Sequence, residues 1–263
     1  MHLRRLTALC CLVTALSFAG QSQAQDKAAW RPIFDGRTLD GWTPKIAGFP
    51  VGENFAQTFV VQDGAIRVSY AGYDGKFGGR FGHLFYKTPF SAYRLRLNYR
   101  VLDPALPDTP AWARSNSGVM FASQSPQSMS LAQPFPMSVE FQILGRDGEG
   151  HRPTGAVCTP GTSIAFDGVK AKEHCVPSKT APTIANGTWT SLELEVLPSG
   201  QVTQKIDGAV VHQYADVALD PTDSFAAVAR PYFADHAKTE GYIALQSEGH
   251  PIEFKDIEVQ ELR

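Results

Sequence analysis

Long hydrophobic runs are nearly missing from this chain. After the first two dozen residues no segment approaches the ~20 apolar residues that cross a bilayer, so no later membrane span is expected. Charge of either sign is also not in excess, with 24 Lys and Arg against 26 Asp and Glu. That balance argues against nucleic acid or an anionic membrane as partner. Sustained helical periodicity is lacking as well, which argues against a helical protein. The common catalytic signatures are missing in turn: no Gly-x-Ser-x-Gly elbow, no His-Glu-x-x-His, no dinucleotide fingerprint and no EF-hand loop. The stretch GGRFGHLFYKTPF is glycine-rich but lacks phosphate-loop spacing, so nucleotide binding is not expected and no organic cofactor is implied.

Cysteine is sparse, four in 263 residues, and its placement is informative. The chain opens MHLRRLTALCCLVTALSFAGQSQAQ, with Arg4 and Arg5 before an apolar run and Ser22 and Ala24 in small-x-small spacing. This is the pattern of a secretory signal peptide cut after Ala24, leaving residues 25–263 as the mature chain, periplasmic or secreted. Cleavage removes Cys10 and Cys11 and leaves Cys158 and Cys175. Two cysteines in an exported chain are expected to form one disulfide. A metal pair is the alternative, but zinc sites favour closer spacing.

Short alternating runs fill the rest. Strands are expected at 58–61, 65–70, 93–101, 118–122, 139–144, 190–197, 202–206, 209–214, 241–246 and 252–260, with Asp63-Gly64 and Asp207-Gly208 as tight hairpin turns. So many strands with short turns mean a sandwich or barrel, here expected as one domain without a linker or internal repeat. Three long connections, 43–57, 123–136 and 145–187, break the rhythm. Connections of that length are usually functional or pinned.

The stretch PFPMSVEFQILG carries the sharpest question. Side chains alternate across a sheet, so Val139, Phe141 and Ile143 share one face while Glu140 and Gln142 share the other. That polar face is either plain solvent or the floor of a site. In GYIALQSEGHPIEF the pattern recurs, with Ile243 and Leu245 on one face and Gln246 and Glu248 on the other. In SNSGVMF, Asn116 and Gly118 share a face. Asn116 can give and accept a hydrogen bond with a sugar hydroxyl, or it is simply a turn-initiating asparagine. His83 is a candidate base or metal ligand, set against the ordinary outcome of a satisfied structural histidine.

Taken in order, FDGRTLDGW, VQDGAIRV, HLFYKTPFSAYRLRLNYR, NSGVMF, SVEFQILG, VCTPGT, His174-Cys175 and GYIALQSEGHPIEFKDIEVQEL resemble the 3-keto-disaccharide hydrolase domain family. The similarity runs from about Ile33 to Leu262. It implies an all-β, concanavalin A-like jelly roll of two antiparallel sheets, acting on glycosides already oxidised at C3. A 3-ketone acidifies the C2 proton, so a base can form an enolate that expels the C1 substituent, and water can add afterwards. Such a site needs a base, support for the enolate oxygen and an acid for the leaving group. On this resemblance Glu140 is the base or a metal ligand, with His83 and Glu248 as further acid, base or ligand candidates. Gln142, Asn116 and Gln246 are the polar clamps. A divalent cation stays open, and the partner is an oligosaccharide or glycoside. Two positions depart from the usual pattern: Gly145 stands where many members have an acid, and Glu248 where many have His. Two rival expectations remain: a non-catalytic carbohydrate-binding module, and an ordinary glycosidase pairing Glu140 with Glu248.

Overall fold

The computed structural model describes residues 28–224, 226 and 241–262. The expected signal peptide, 1–24, lies outside the described residues. Strands come in chain order as β1 (Arg31–Pro32), β2 (Trp42–Ile46), β3 (Phe59–Gln62), β4 (Ala65–Val68), β5 (Gly82–Tyr86) and β6 (Tyr93–Val101). They continue as β7 (Asn116–Ser123), β8 (Val139–Leu144), β9 (Val157–Cys158), β10 (Thr162–Phe166), β11 (Val169–Lys170) and β12 (Cys175–Val176). The last five are β13 (Thr190–Val196), β14 (Val202–Ile206), β15 (Ala209–Leu219), β16 (Tyr242–Ser247) and β17 (Ile252–Glu261). The helical pieces described in full are three short 3-10 turns.

These strands form two antiparallel sheets. One runs β11-β10-β15-β14-β13-β6-β17-β4-β3, with β1 added against β17, and the other runs β12-β9-β8-β7-β16-β5-β2. Alternation explains why they stack. Leu95, Leu97, Tyr99 and Val101 of β6 share one buried cluster with Val119 and Phe121 of β7, Phe141 and Ile143 of β8, and Ile243 and Leu245 of β16. Every second residue of each strand therefore enters the space between the sheets. The opposite face of β6, β13 and β17 is ionic and half-exposed. There Arg96 meets Glu258 at 2.6 Å and Arg100 meets Glu253 at 2.7 Å.

Asp63-Gly64 and Asp207-Gly208 turn the β3–β4 and β14–β15 hairpins with positive φ at both residues, as the sequence implied. Asp167-Gly168 does the same between β10 and β11. Here the sequence expectation needs correcting, because the connection 145–187 is not structureless: it contains β9, β10, β11 and β12. Three of those four are two-residue strands, too short to show alternation. The connection 43–57 likewise contains most of β2, which carries Pro44 and sits at a sheet edge. An edge is where a strand can spare the N–H that proline lacks. The long β7–β8 connection does remain a loop, apart from one 3-10 turn.

The expected disulfide is present. Cys158 and Cys175 are direct partners across β9 and β12, with their Cα atoms 4.1 Å apart.

Candidate functional site

The seven-stranded sheet turns its second face away from the core, and the strand register writes rows of side chains across it. Cys175 opposes Cys158, which opposes Glu140, which opposes Met120. In the neighbouring row Gln142 opposes Gly118, and Gln246, His83 and Lys45 follow on β16, β5 and β2. Glu140, Gln142, Asn116 and Gln246, assigned to a polar face by alternation, therefore lie on strands of one face, and His83 joins them there. Glu248 stands one residue past β16, where Gly249, at φ 86°, turns the chain. A Cβ on Gly249 would come within 2.5 Å of Thr109 Oγ1, so the turn has little room for another residue.

A cavity of about 280 Å³ opens over this face. Its lining includes Glu140, Glu248, Asn116 and Gln142 from the expected set, together with Trp112, Phe135, His174 and the disulfide cysteines. Just below the ~300–1,000 Å³ usual for small-molecule sites, it suits a single sugar ring. Trp112 is 56% exposed and lies nearly parallel to Phe81, with ring centroids 5.6 Å apart. It offers a flat apolar platform at the mouth.

The floor is buried and carries two carboxyls. Glu140 and Glu248 are 7% and 2% exposed. Among the described residues neither Glu140 Oε1 nor Glu248 Oε2 has a hydrogen-bond partner, and Asn116 Oδ1 has none either. Burial pushes the Glu140 carboxyl up to about 8. Glu248 is also pushed well up, first by burial and then by the Glu140 charge, with Arg152 pulling the other way. Two desolvated carboxyls that sense each other do not both ionise readily, so the pair holds its protons more tightly than ordinary carboxyls do. Burying them without partners is costly, which is why such groups mark functional sites.

The surroundings fix these groups. Gly118 lies under the Glu140 side chain, and a Cβ there would meet Glu140 Oε1 at 2.4 Å. Asn116 Nδ2 donates to Trp112 O at 3.1 Å, which leaves its oxygen for the cavity. Arg152 Nη1 donates to Gly145 O at 3.0 Å and Ser115 O at 3.3 Å, tying the β7 entry to the β8 exit. Ser115 N in turn donates to His250 Nδ1 at 2.8 Å.

Two expected residues fall outside the cavity lining. His83 is fully buried, with its ring 6.0 Å from Phe135 and 6.1 Å from Phe85. Burial, with Lys45 nearby, pushes its imidazole down to about 3, so it is neutral at ordinary pH. Gln246 beside it is also fully buried. Conversely, alternation did not single out Trp112, which lies in a 3-10 turn, or Phe135, His174 and Arg152, which lie on loops. The only sequence signal among them was His174, through its place beside Cys175.

A divalent cation would meet Glu140, Glu248 and the Asn116 oxygen here. Among the described residues no group of three or more His, Cys, Asp or Glu is arranged to hold one. Nor is any described helix long and apolar enough to cross a membrane.

Comparison with known proteins agrees with the resemblance read from the motifs. The model of the 3-keto-alpha-glucoside-1,2-lyase-like domain matches residues 29–260. No curated protein matches. Among solved structures, the chain is similar to two crystal structures of a "putative glycosyl hydrolase" from Parabacteroides distasonis ATCC 8503. One has 15% identity, covers 89% of this chain and 94% of that one, and has a TM-score of 0.52. The other has 17% identity, covers 89% and 100%, and has a TM-score of 0.51. The exoplasmic/lumenal domain of VIP36, solved with Ca2+ and Man3GlcNAc, is similar at 8% identity over 86% of this chain and 87% of that one, with a TM-score of 0.50. At these identities the likeness is one of fold: the all-β, lectin-type jelly roll expected from the sequence.

Proposed function

We propose that this chain, which belongs to the 3-keto-alpha-glucoside-1,2-lyase-like domain family, cleaves 3-keto-glycosides in the Glu140–Glu248 cavity by abstracting the C2 proton. The observation that carries this reading is the buried carboxyl pair with raised pKa values and unpartnered oxygens on the cavity floor. A base for a ketone-activated C–H needs a pKa near the working pH, and Glu140, pushed up to about 8, meets that need. Glu248, whose carboxyl is pushed well up by burial and by the Glu140 charge, donates to the C3 oxygen as that oxygen gains charge, much as other buried neutral carboxyls support enolates. Asn116 and Gln142 hold ring hydroxyls, and Trp112 covers one face of the sugar. Loss of the C2 proton forms the enolate, and its collapse restores the ketone, forms the C1–C2 double bond and releases the C1 substituent. Water adds to that double bond in the hydrolytic outcome. The reading places the mature chain, 25–263, as one domain outside the cytoplasm, where its disulfide is stable.

One observation favours a second reading. The exposed Trp112 platform is what a carbohydrate-binding module would also present. The deciding experiment compares the 3-keto and unoxidised forms of one disaccharide. The enzyme cleaves only the 3-keto form and shows a kinetic isotope effect with deuterium at C2. Binding without turnover makes it a module. Rapid cleavage of the unoxidised sugar, with no C2 effect, makes it an ordinary glycosidase.

A further inference from the structure

The elimination leaves one role unfilled. Glu140 takes a proton from C2 and Glu248 faces C3, but the C1 oxygen must gain a proton as it departs. An unactivated sugar alkoxide is a poor leaving group, so an acid at this position is worth a large factor. The carboxyls lie on the floor, whereas the departing group is the bulky part of the substrate and must extend through the mouth. The acid should therefore stand on the wall, partly exposed.

We infer that His174 is this acid, held in place by the Cys158–Cys175 bridge and by Asp223; the inference rests on the function proposed above. His174 lines the cavity and its side chain is 46% exposed, unlike the floor carboxyls. Its Nδ1 lies 3.8 Å from Asp223 Oδ2, within ion-pair distance, so the carboxylate orients the ring. Asp223 is itself fixed, because its Oδ1 accepts from Gly161 N at 3.2 Å. The backbone is pinned from both sides. Thr159 donates to His174 O through its N–H at 3.0 Å and its hydroxyl at 3.3 Å, and the next residue is bonded to Cys158.

The register sets the reach. Cys158 is the cross-strand partner of both Cys175 and Glu140, so His174 adjoins a strand two places from that of Glu140. Two strand spacings are roughly 10 Å, which suits one sugar ring with an acting group on either side. The proton balance closes. Glu140 gains the C2 proton, the aglycone oxygen gains the His174 proton, and solvent resets both groups. With Nδ1 turned to Asp223, Nε2 is the nitrogen that passes the proton.

The test uses two substrates that differ in their need for an acid: a 3-keto disaccharide, and the 3-keto 4-nitrophenyl glucoside, whose phenolate leaves unprotonated. His174→Gln should lower kcat on the disaccharide by ~10²–10⁴-fold and change the 4-nitrophenyl substrate only a few-fold. Glu140→Gln should lower both. Free-thiol titration and melting of the variant show whether the bridge and fold survive. In addition, His174→Gly should regain disaccharide activity with added imidazole. Equal losses on both substrates without imidazole rescue, or no loss on either, overturn the acid role while leaving the proposed function intact. A parent inactive on both 3-keto substrates overturns the function, and the acid role with it.

Discussion

Glu140 is a residue whose discomfort is its use. Leaving a carboxyl unpartnered in a buried site destabilises the charged form, which is what lifts it to about 8, the range that the base of the proposed reaction requires. Glu140→Gln keeps shape and hydrogen-bonding capacity but removes the proton acceptor. Expected is a ~10²–10⁴-fold loss of kcat on a 3-keto disaccharide with KM changed far less, read from steady-state kinetics. Gly118→Ala tests the same carboxyl from beneath. The added methyl would overlap Glu140 Oε1, so the side chain must move, and kcat should fall at least tenfold while the strands persist by circular dichroism. The glycine matters here for close approach, not for backbone freedom. Both Glu140 and Gly118 were legible, because strict alternation along β7 and β8 assigns each residue its face from the sequence alone. Gln246 was also placed on the right face and His83 shares that face, yet Phe135 stands over His83 and neither lines the cavity. Alternation tells which way a side chain points but not what a loop lays across it.

At the scale of elements, legibility follows length. β6, β8 and β14 match their expected bounds, because five to nine residues of alternation cannot be mistaken. β9 and β12 have two residues each and exist as strands because neighbours hold them, above all the bridge that joins them. The cysteine count foresaw that bond, but not that it forms a cavity wall beside Glu140. Its removal should therefore be felt in two ways. Cys158→Ser with Cys175→Ser should lower unfolding free energy by ~2–5 kcal/mol, measured by denaturant titration. Hydrogen exchange should rise in the 157–176 segment while β6 and β13 stay protected. Uniform exchange across both sheets would show that the bridge serves the whole fold rather than this edge.

For the whole molecule, the buried ionisable groups tie activity and stability to pH in opposite directions. Glu140 must be deprotonated to act, so on the 3-keto 4-nitrophenyl glucoside, which needs no acid, kcat/KM should climb about tenfold per unit below its pKa and level off near or above pH 8. The stability sign is the reverse. Glu140 has an ordinary value of 4.5 and a folded value of about 8, so between them the folded state holds a proton that the unfolded chain has lost. Unfolding free energy then falls as pH rises through that window: the contribution is complete below about 4.5 and lost above about 8. Glu248 adds to the same trend. Three buried histidines oppose it lower down. His83, His212 and His250 are all pushed below 6.5, chiefly by burial, so they favour the folded state as pH rises toward 6.5. Stability should therefore peak in the mildly acidic range and decline toward pH 8, where the Glu140 carboxyl loses its proton. Melting temperatures of parent and Glu140→Gln from pH 5 to 9 separate the contributions, since the histidines are common to both. The variant should gain on the parent steadily between pH 5 and 8 and run parallel above it. A constant difference across that range would mean that Glu140 titrates normally, and the base assigned to this cavity would have to be sought elsewhere.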